Sequence, residues 1–146
     1  MNTNIKTFDI LLIEDNLADA ELALRALLKN HITNSILHLK DGEEACNFLF
    51  SPEGNFNGHL PKLILLDLKL PKVDGLQILK RLKTDVHTQF IPVVMLTSSR
   101  QEQDVIESYK LGANSYVTKP VEFDKFMAVV SELCLYWLKL NQPPTL

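Results

Sequence analysis

Residues 61–67 read Pro61-Lys-Leu-Ile-Leu-Leu-Asp67, a nearly continuous apolar run that ends in an acid. Such a run is typical of a strand that is buried on both faces of a parallel sheet. An acid at the end of a buried strand is costly unless something compensates its charge, so Asp67 either forms a turn or has a chemical role. The same arrangement, an apolar strand that ends in polar groups, recurs at residues 8–15, 92–97 and 114–119.

Helical patterns separate these strands, because apolar residues recur at helical spacing between them. The predicted helices span about residues 17–29, 43–50, 76–84, 102–111 and 122–140. A further strand, about residues 34–39, alternates imperfectly, which is typical of an edge strand. Strands that alternate with helices predict an α/β fold, a doubly wound parallel sheet of five strands with helices on both faces. Ser98 or Ser99 is expected to cap the fourth helix.

Size and charge narrow the class of protein. The 146 residues, the 46% hydrophobic fraction and the formal charge of −3 are ordinary for one globular domain. The lack of a basic run argues against a nucleic-acid surface. No apolar run approaches the ~20 residues of a membrane span, and the N-terminus lacks the apolar core of a signal peptide. We therefore expect a single cytoplasmic domain over residues 1–146, with 141–146 as a short tail, no output domain, and the isolated Cys46 and Cys134 reduced.

The polar residues at the strand ends are the candidate site. Four of them follow the first, third, fourth and fifth of the five strands: Asp15, Asp67, Thr97 and Lys119. Each has an ordinary alternative role as a loop acid, a turn former, a helix cap or a solvated lysine. Because the carboxyl ends of parallel strands meet at one edge, where open α/β sheets bind ligands, their joint placement favours a shared pocket. Two carboxylates with a hydroxyl and an ammonium predict a site for Mg²⁺ and a phosphoryl group.

Each group has a specific chemistry in such a pocket. Magnesium prefers oxygen ligands and keeps several waters, so Asp15 is expected to bind it directly and the longer Glu14 through a water. Asp67 can act as a nucleophile that receives a phosphoryl group. Thr97 can donate to a phosphoryl oxygen, and Lys119 can pair first with the carboxylate and then with the phosphoryl group. The proline after Lys119 favours an extended backbone there, and a cis peptide bond is expected at this position.

Five pieces of the chain carry a common pattern. They are Leu-Leu-Ile-Glu14-Asp15-Asn, Leu-Leu-Asp67-Leu-Lys-Leu-Pro-Lys-Val-Asp-Gly75, Met-Leu-Thr97-Ser-Ser, Gly112-Ala-Asn-Ser-Tyr116 and Lys119-Pro120. Together they resemble the receiver domain of bacterial response regulators over about residues 9–140. The opening Glu-Asp-Asn, the long loop before Pro61 and the Asn-Gln-Pro-Pro tail are most similar to single-domain regulators paired with cyanobacterial phytochrome kinases.

The resemblance implies a flavodoxin-like sheet with strand order 2-1-3-4-5 and a phosphoprotein of a two-component system. Asp67 would take a phosphoryl group from a sensor histidine kinase, in the narrower resemblance a phytochrome. Asp15, Asp67 and the backbone carbonyl of Lys69 would bind Mg²⁺. Thr97 and Lys119 would hold the phosphoryl oxygens. Tyr116 would be the aromatic switch. The Glu-Asp pair departs from the commoner Asp-Asp pair, and Lys69 and Ser99 are at positions that tune phosphate lifetime in the family.

The last helix carries more apolar residues than one sheet face can cover. A helix that is apolar all round has to be buried all round. Either the N-terminal segment or the tail covers its second face, or it forms a homodimer through the face made by the fourth helix, the fifth strand and the fifth helix. We favour the dimer.

Three other functions compete with a phosphorylation-controlled binding module that is not an enzyme. A phosphatase with an aspartyl nucleophile needs a second acid two residues later, where this chain has Lys69. A flavin carrier needs a hydroxyl- and glycine-rich loop after the first strand, where Glu14 and Asp15 would repel phosphate. A receiver fold that serves only as a constitutive interaction module remains the third alternative.

Overall fold

The computed structural model describes residues 7–30, 35–52, 56 and 58–144. The elements alternate strand and helix along the chain. They are β1 (Ile10–Ile13), α1 (Leu17–Lys29), β2 (Ile36–Leu39), α2 (Gly42–Leu49), β3 (Leu63–Leu66), α3 (Gly75–Thr84), β4 (Val93–Thr97), α4 (Glu102–Lys110), β5 (Ser115–Thr118) and α5 (Phe123–Leu135), which continues as a π-helical turn (Tyr136–Leu140).

The five strands form one parallel sheet in the order β2-β1-β3-β4-β5. Ile13 lies opposite both Leu39 and Leu66, and Thr97 lies opposite Thr118. The carboxyl ends of the strands are therefore aligned at one edge. This order and direction confirm the flavodoxin-like fold.

Two apolar layers cover the sheet, one on each face. In β1, Ile10 and Leu12 pack with α1 and α5, whereas Leu11 and Ile13 pack with α2 and α3. Every residue of β1, β3 and β4 is buried. Burial on both faces explains why these strands are continuous apolar runs rather than alternating ones.

Several local predictions need correction. The predicted start of β2 at Asn34 lies outside the described residues. The fourth helix is not capped by a serine: Gln101 precedes it without a side-chain cap, because the Ser99 hydroxyl donates to Asp104 Oδ2 at 2.5 Å instead. The peptide bond before Pro120 is trans, since none of the described peptide bonds is cis, so the usual preference of about 0.5–1 kcal/mol for trans is kept.

Among the described residues, the last helix is covered on one side, and the N-terminal segment considered as a cover for its second face, residues 1–6, lies outside them. Phe126, Val130, Cys134 and Leu138 are buried against the sheet and α1. Leu135, Tyr136 and Leu140 remain half exposed or more. The tail is described over residues 141–144, of which 142–144 line a cavity with residues 58–62 and 90–92 at the amino end of the sheet. That part of the tail therefore lies away from the carboxyl edge. No helix in the described ranges is long and apolar enough to cross a bilayer.

Candidate functional site

The predicted side chains lie at the carboxyl ends of four strands, on one edge of the sheet. Glu14 and Asp15 follow β1, Asp67 follows β3, and Lys119 follows β5. Thr97 is the last residue of β4, so the alternative of a helix cap does not apply to it. The parallel register, with β1 and β4 both paired to β3, brings these ends together.

Three acids form a cluster at this edge. Glu14, Asp15 and Asp67 each offer a carboxylate oxygen, and these oxygens lie within 4.8 Å of one another. Glu14 is 3% exposed and Asp67 7% exposed, whereas Asp15 is exposed at the mouth. Hard divalent cations take oxygen ligands and keep waters on their open side. The donor set therefore fits a divalent cation that is reached from solvent.

Lys119 is the cation of the site. Its buried ammonium lies 2.6 Å from Glu14 Oε1, 2.9 Å from Asp19 Oδ2 and 3.2 Å from Asp67 Oδ2. An ammonium has three N–H donors, so each donor has one carboxylate to face. One positive charge stands among several negative ones, which leaves the pocket with net negative charge.

Asp19 is the site residue that sequence reasoning missed. It lies in the first turn of α1, where an acid is already explained by the helix dipole. Its spacing was nevertheless informative, since a residue in the first turn stays close to the Glu14–Asp15 loop that precedes the helix. That spacing was the one available signal that Asp19 lies near the site.

Hydrogen bonds fix the acidic loop after β1. The Asn16 N–H donates to Glu14 Oε2 at 3.0 Å, and Asn16 Oδ1 accepts from the Asp19 N–H at 3.0 Å. On the other side, His38 Nε2 donates to the backbone carbonyl of Glu14 at 2.7 Å. His38 thus lies at the margin of the site and holds the backbone of Glu14.

Burial and charge shift two pKa values in the pocket. Burial raises the pKa of the Glu14 carboxyl to about 7, and the hydrogen bond from Lys119 opposes that rise while the charge of Asp67 adds to it. Burial alone would lower the pKa of the Lys119 ammonium. Its hydrogen bonds to Glu14 and Asp19 outweigh burial and hold that pKa above its usual value. At neutral pH the Lys119 ammonium is charged, and the Glu14 carboxyl is close to its pKa, so that both of its protonation states are populated.

Thr97 and Tyr116 are connected through Ser99. Thr97 is fully buried, and its Oγ1 accepts from the Ser99 N–H at 3.3 Å. The Tyr116 hydroxyl donates to the Ser99 backbone carbonyl at 3.0 Å. The backbone of Ser99, in the β4–α4 loop, therefore contacts both the Thr97 hydroxyl and the Tyr116 hydroxyl.

The loop after Asp67, which contains Lys69, is braced at its far end. The Gly42 N–H donates to the Pro71 carbonyl at 3.2 Å, and Lys72 Nζ lies 3.3 Å from Asp41 Oδ2. Lys72 has a φ of 72°, a left-handed conformation that is uncommon for a residue with a side chain. Gly75 closes the loop where a Cβ would overlap the Asp67 carbonyl oxygen. The loop that follows Asp67 is thus fixed by a backbone hydrogen bond, an ion pair and the close approach at Gly75.

Comparison with known proteins identifies the family. The profile of the response regulator receiver domain matches residues 10–131. The chain belongs to this family. Response regulators of this kind are the phosphorylation-dependent regulators of two-component signalling systems, and they work with sensor histidine kinases.

Individual relatives match almost the whole receiver domain. The chain is 42% identical over 137 residues to the probable methanogenesis regulatory protein FilR2 of Methanothrix harundinacea, covering 94% of this chain and 88% of that protein. It is 40% identical over 130 residues to the response regulator Rcp1 of Synechocystis, covering 89% of this chain and 88% of Rcp1.

Solved structures of relatives share this fold. The phosphorylated cyanobacterial phytochrome response regulator RcpA superimposes with a TM-score of 0.87 at 36% identity, covering 95% of this chain and 99% of that one. The Mn²⁺-bound form of Rcp1 gives a TM-score of 0.84 at 39% identity, covering 92% and 97%. The receiver domain described here thus resembles one relative that was solved phosphorylated and another that was solved with a divalent metal.

Proposed function

We propose that this receiver domain accepts a phosphoryl group on Asp67 from a phosphohistidine of a sensor kinase and thereby changes a protein-interaction face. The observation that carries the proposal is the contact of the buried Asp67 with the Lys119 ammonium at 3.2 Å, inside a cluster of acids. A buried carboxylate with a cation beside it and further acids around it is suited to receive an electrophile together with a metal.

The transfer is an in-line displacement at phosphorus. An Asp67 carboxylate oxygen forms the new P–O bond while the bond between phosphorus and the histidine nitrogen breaks, and that nitrogen keeps the electron pair. Mg²⁺, held by Asp15, Asp67 and the backbone carbonyl of Lys69, with Glu14 in contact through a water, would neutralise the repulsion between the carboxylate and the incoming phosphoryl group. The product is an acyl phosphate.

The neighbouring side chains hold the product. Lys119 already donates toward Asp67 and can donate to a phosphoryl oxygen by a charge-assisted hydrogen bond. The Thr97 hydroxyl, at the end of the adjacent strand, donates to a second oxygen. A phosphoryl group adds negative charge of about −1.5 to −2 on a serine-type ester, and an acyl phosphate is comparable. The change in charge is therefore large enough to reorganise these donors.

Ser99 is the route by which this change reaches the surface. If Thr97 turns toward the phosphoryl group, its hydrogen bond from the Ser99 N–H is lost, and the Ser99 carbonyl that holds the Tyr116 hydroxyl is free to move with it. The Tyr116 ring then turns inward. This is a local charge event that biases a two-state element, and a coupling of about 1–3 kcal/mol would change partner affinity about 5- to 150-fold.

The partner classes follow from the relatives and from the surface. Similarity to RcpA and Rcp1 supports a phytochrome-type histidine kinase as the phosphoryl donor. The free thiols of Cys46 and Cys134 support a reducing compartment such as the cytoplasm. We infer a binding module rather than an enzyme with turnover on a free substrate, because Lys69 stands where an aspartyl phosphatase needs an acid. No nucleic-acid or membrane partner is proposed.

The second partner that we propose is another copy of the chain. Apolar side chains are exposed on the elements of the face formed by α4, β5 and α5: Ile106 and Tyr109 on α4, and Tyr136 and Leu140 at the end of α5. β5 is an edge strand of the sheet, and a groove of about 550 Å³ runs between it and α5, lined in part by Val117, Leu133 and Trp137. An apolar face beside an open strand edge is suited to a symmetric homodimer.

Phosphotransfer tests the main proposal. Histidine kinases of the source organism are autophosphorylated with labelled ATP and mixed with this protein, with an Asp67→Asn variant and with an Asp124→Asn variant as a control acid outside the site. We expect a cognate kinase to label the wild type and Asp124→Asn but not Asp67→Asn, with all three equally folded by circular dichroism. Equal labelling of Asp67→Asn would overturn the assignment.

A further inference from the structure

Asp19 contacts the site from outside the acid cluster. Its Oδ2 lies 2.9 Å from Lys119 Nζ, whereas the three acids whose oxygens come together are Glu14, Asp15 and Asp67. Its side chain is 27% exposed, compared with 4% for Glu14 and 9% for Asp67. Asp19 can therefore keep its contact with Lys119 while the other acids take a metal or a phosphoryl group.

The ammonium is shared unequally among the carboxylates. Its contacts of 2.6 Å to Glu14 and 2.9 Å to Asp19 are short, and its contact of 3.2 Å to Asp67 is the longest. Charge-assisted N–H···O bonds are typically about 2.7–2.9 Å long. Lys119 is thus bound more closely on the α1 side than on the side of the nucleophile.

Asp19 is itself held rigidly. Its backbone N–H donates to Asn16 Oδ1, and the Asn16 N–H donates to Glu14 Oε2, both at 3.0 Å. Glu14 and Asp19 are therefore joined through Asn16, and Lys119 bridges their two carboxylates. These contacts make a closed ring of hydrogen bonds in which the position of Asp19 determines where the ammonium can lie.

We propose that Asp19 is a positioning residue that draws the Lys119 ammonium toward α1, so that the Asp67 carboxylate stays free to attack phosphorus. This inference rests on the proposed function of Asp67. In the reaction with acetyl phosphate, an Asp67 oxygen forms a bond to phosphorus while the P–O bond to acetate breaks, and acetate leaves with the electron pair. A lysine bound tightly to Asp67 Oδ2 would draw electron density from the carboxylate and make it a weaker nucleophile.

Removal of the Asp19 carboxylate releases one N–H of a buried cation. Apart from Glu14, the remaining carboxylate in contact with the ammonium is that of Asp67. The contact between Lys119 Nζ and Asp67 Oδ2 should therefore shorten. We expect Asp19→Ala to slow phosphorylation by acetyl phosphate about tenfold at saturating Mg²⁺, in line with the strength of one hydrogen bond to a charged group. Asp19→Asn keeps an oxygen that can accept from the ammonium and should slow the reaction less.

Glu21→Gln is the matched control. Glu21 is on the same helix, is exposed and pairs with Arg25 at 2.7 Å, so this variant removes the same charge without touching Lys119. It should react at the wild-type rate. Thermal midpoints of all variants establish that the rates are measured on folded protein.

A second measurement follows Lys119 itself. The ammonium protons of a lysine held by carboxylates exchange slowly enough to give a ¹H–¹⁵N signal, which a Lys119→Met variant assigns. The signal should be present in the wild type and in Glu21→Gln and be shifted or lost in Asp19→Ala.

The outcomes separate the two proposals. An unchanged ammonium signal, or an Asp19→Ala rate within about twofold of the wild type, would overturn the positioning role, since the loss of one charged hydrogen bond predicts a larger change. If even the wild type is not phosphorylated, the proposed function fails, and the ammonium spectrum still decides whether Asp19 holds Lys119.

Discussion

Replacing Lys119 by methionine should destabilise the receiver domain in a way that acid or magnesium reverses. The ammonium is the counter-charge for two buried carboxylates, Glu14 and Asp67, and for the partly exposed Asp19. Removing one partner from a buried ion pair typically costs about 3–5 kcal/mol, because a charge is left buried without compensation. For a domain of this size, about 2–4 °C is lost per kcal/mol, so the thermal midpoint should fall by about 6–20 °C at alkaline pH without metal.

The pH dependence of this loss follows from Glu14. Its folded-state pKa is raised to about 7 from an ordinary value of 4.5, so the folded state keeps a proton that the unfolded chain has already released. Stability therefore falls as the pH rises from about 4.5 through 7. Without Lys119 the carboxyl loses the hydrogen bond that lowers its pKa, so the variant should approach the wild type at acidic pH, where Glu14 is neutral.

Thermal denaturation followed by circular dichroism measures the effect, with EDTA or with MgCl₂. Magnesium should narrow the gap to the wild type, because the pocket without Lys119 has more uncompensated negative charge and should bind the cation more tightly. A ligand at a hundred times its Kd adds about 2.7 kcal/mol. Lys83→Met is the matched control, because Lys83 Nζ also donates to three oxygens, those of Ile91, Asn114 and Gln89, but all are neutral. Rescue of Lys83→Met by acid or magnesium, or no rescue of Lys119→Met, would refute the reasoning.

Three further predictions concern the metal, the loop and the dimer. Magnesium affinity by calorimetry should rise with pH up to about 7, by at most about tenfold per unit, because the Glu14 proton must be released; a Glu14→Gln variant with the same pH profile would contradict this. Gly75→Ala should lower the free energy of unfolding, measured by urea denaturation, by about 1–3 kcal/mol, because the added Cβ would overlap the Asp67 carbonyl oxygen. An unchanged urea midpoint would contradict this, since it would show that the loop shifts to make room for the Cβ. Tyr136→Glu should convert the proposed dimer to monomer in sedimentation, whereas Leu28→Glu on the exposed part of α1 should not; a wild type that is monomeric with and without phosphate would exclude the dimer.

The apolar strands are what made the fold predictable. In β1, β3 and β4 every residue is buried, so each strand appears in the sequence as an uninterrupted apolar run with a polar residue at its end. The alternation with helices then requires a parallel sheet, and the carboxyl ends must meet. The strand order came from the family resemblance, because spacing alone does not rank the strands.

Two errors, at Ser99 and Asp19, concern side chains that had more than one available hydrogen-bond partner. Ser99 was expected to cap α4, yet its hydroxyl donates to Asp104 and its backbone connects Thr97 with Tyr116. Asp19 was missed because it lies in the first turn of α1, where the helix dipole already explains an acid. Its contact with Lys119 joins residues one hundred positions apart, and such a contact cannot be read from local spacing.

The last helix could be predicted only in part. Its apolar residues predicted burial on every side, whereas the described structure buries one face, formed by Phe126, Val130 and Cys134. The π-helical turn at Tyr136–Leu140 has no sequence signal that we recognised. It widens the spacing at the end of the helix and so sets which apolar side chains face outward. The dimer through this face stays a prediction.

Site mapping of the phosphoryl group tests the central claim most directly. The wild-type protein is incubated with Mg²⁺ and phosphoramidate, an analogue of phosphohistidine, and the acyl phosphate is trapped with borohydride before peptide mass spectrometry. We expect one modified residue, Asp67, and no modification when the metal is removed by EDTA. Modification at Asp15, Glu14 or a histidine, or an unmodified Asp67 peptide with metal present, would contradict the account.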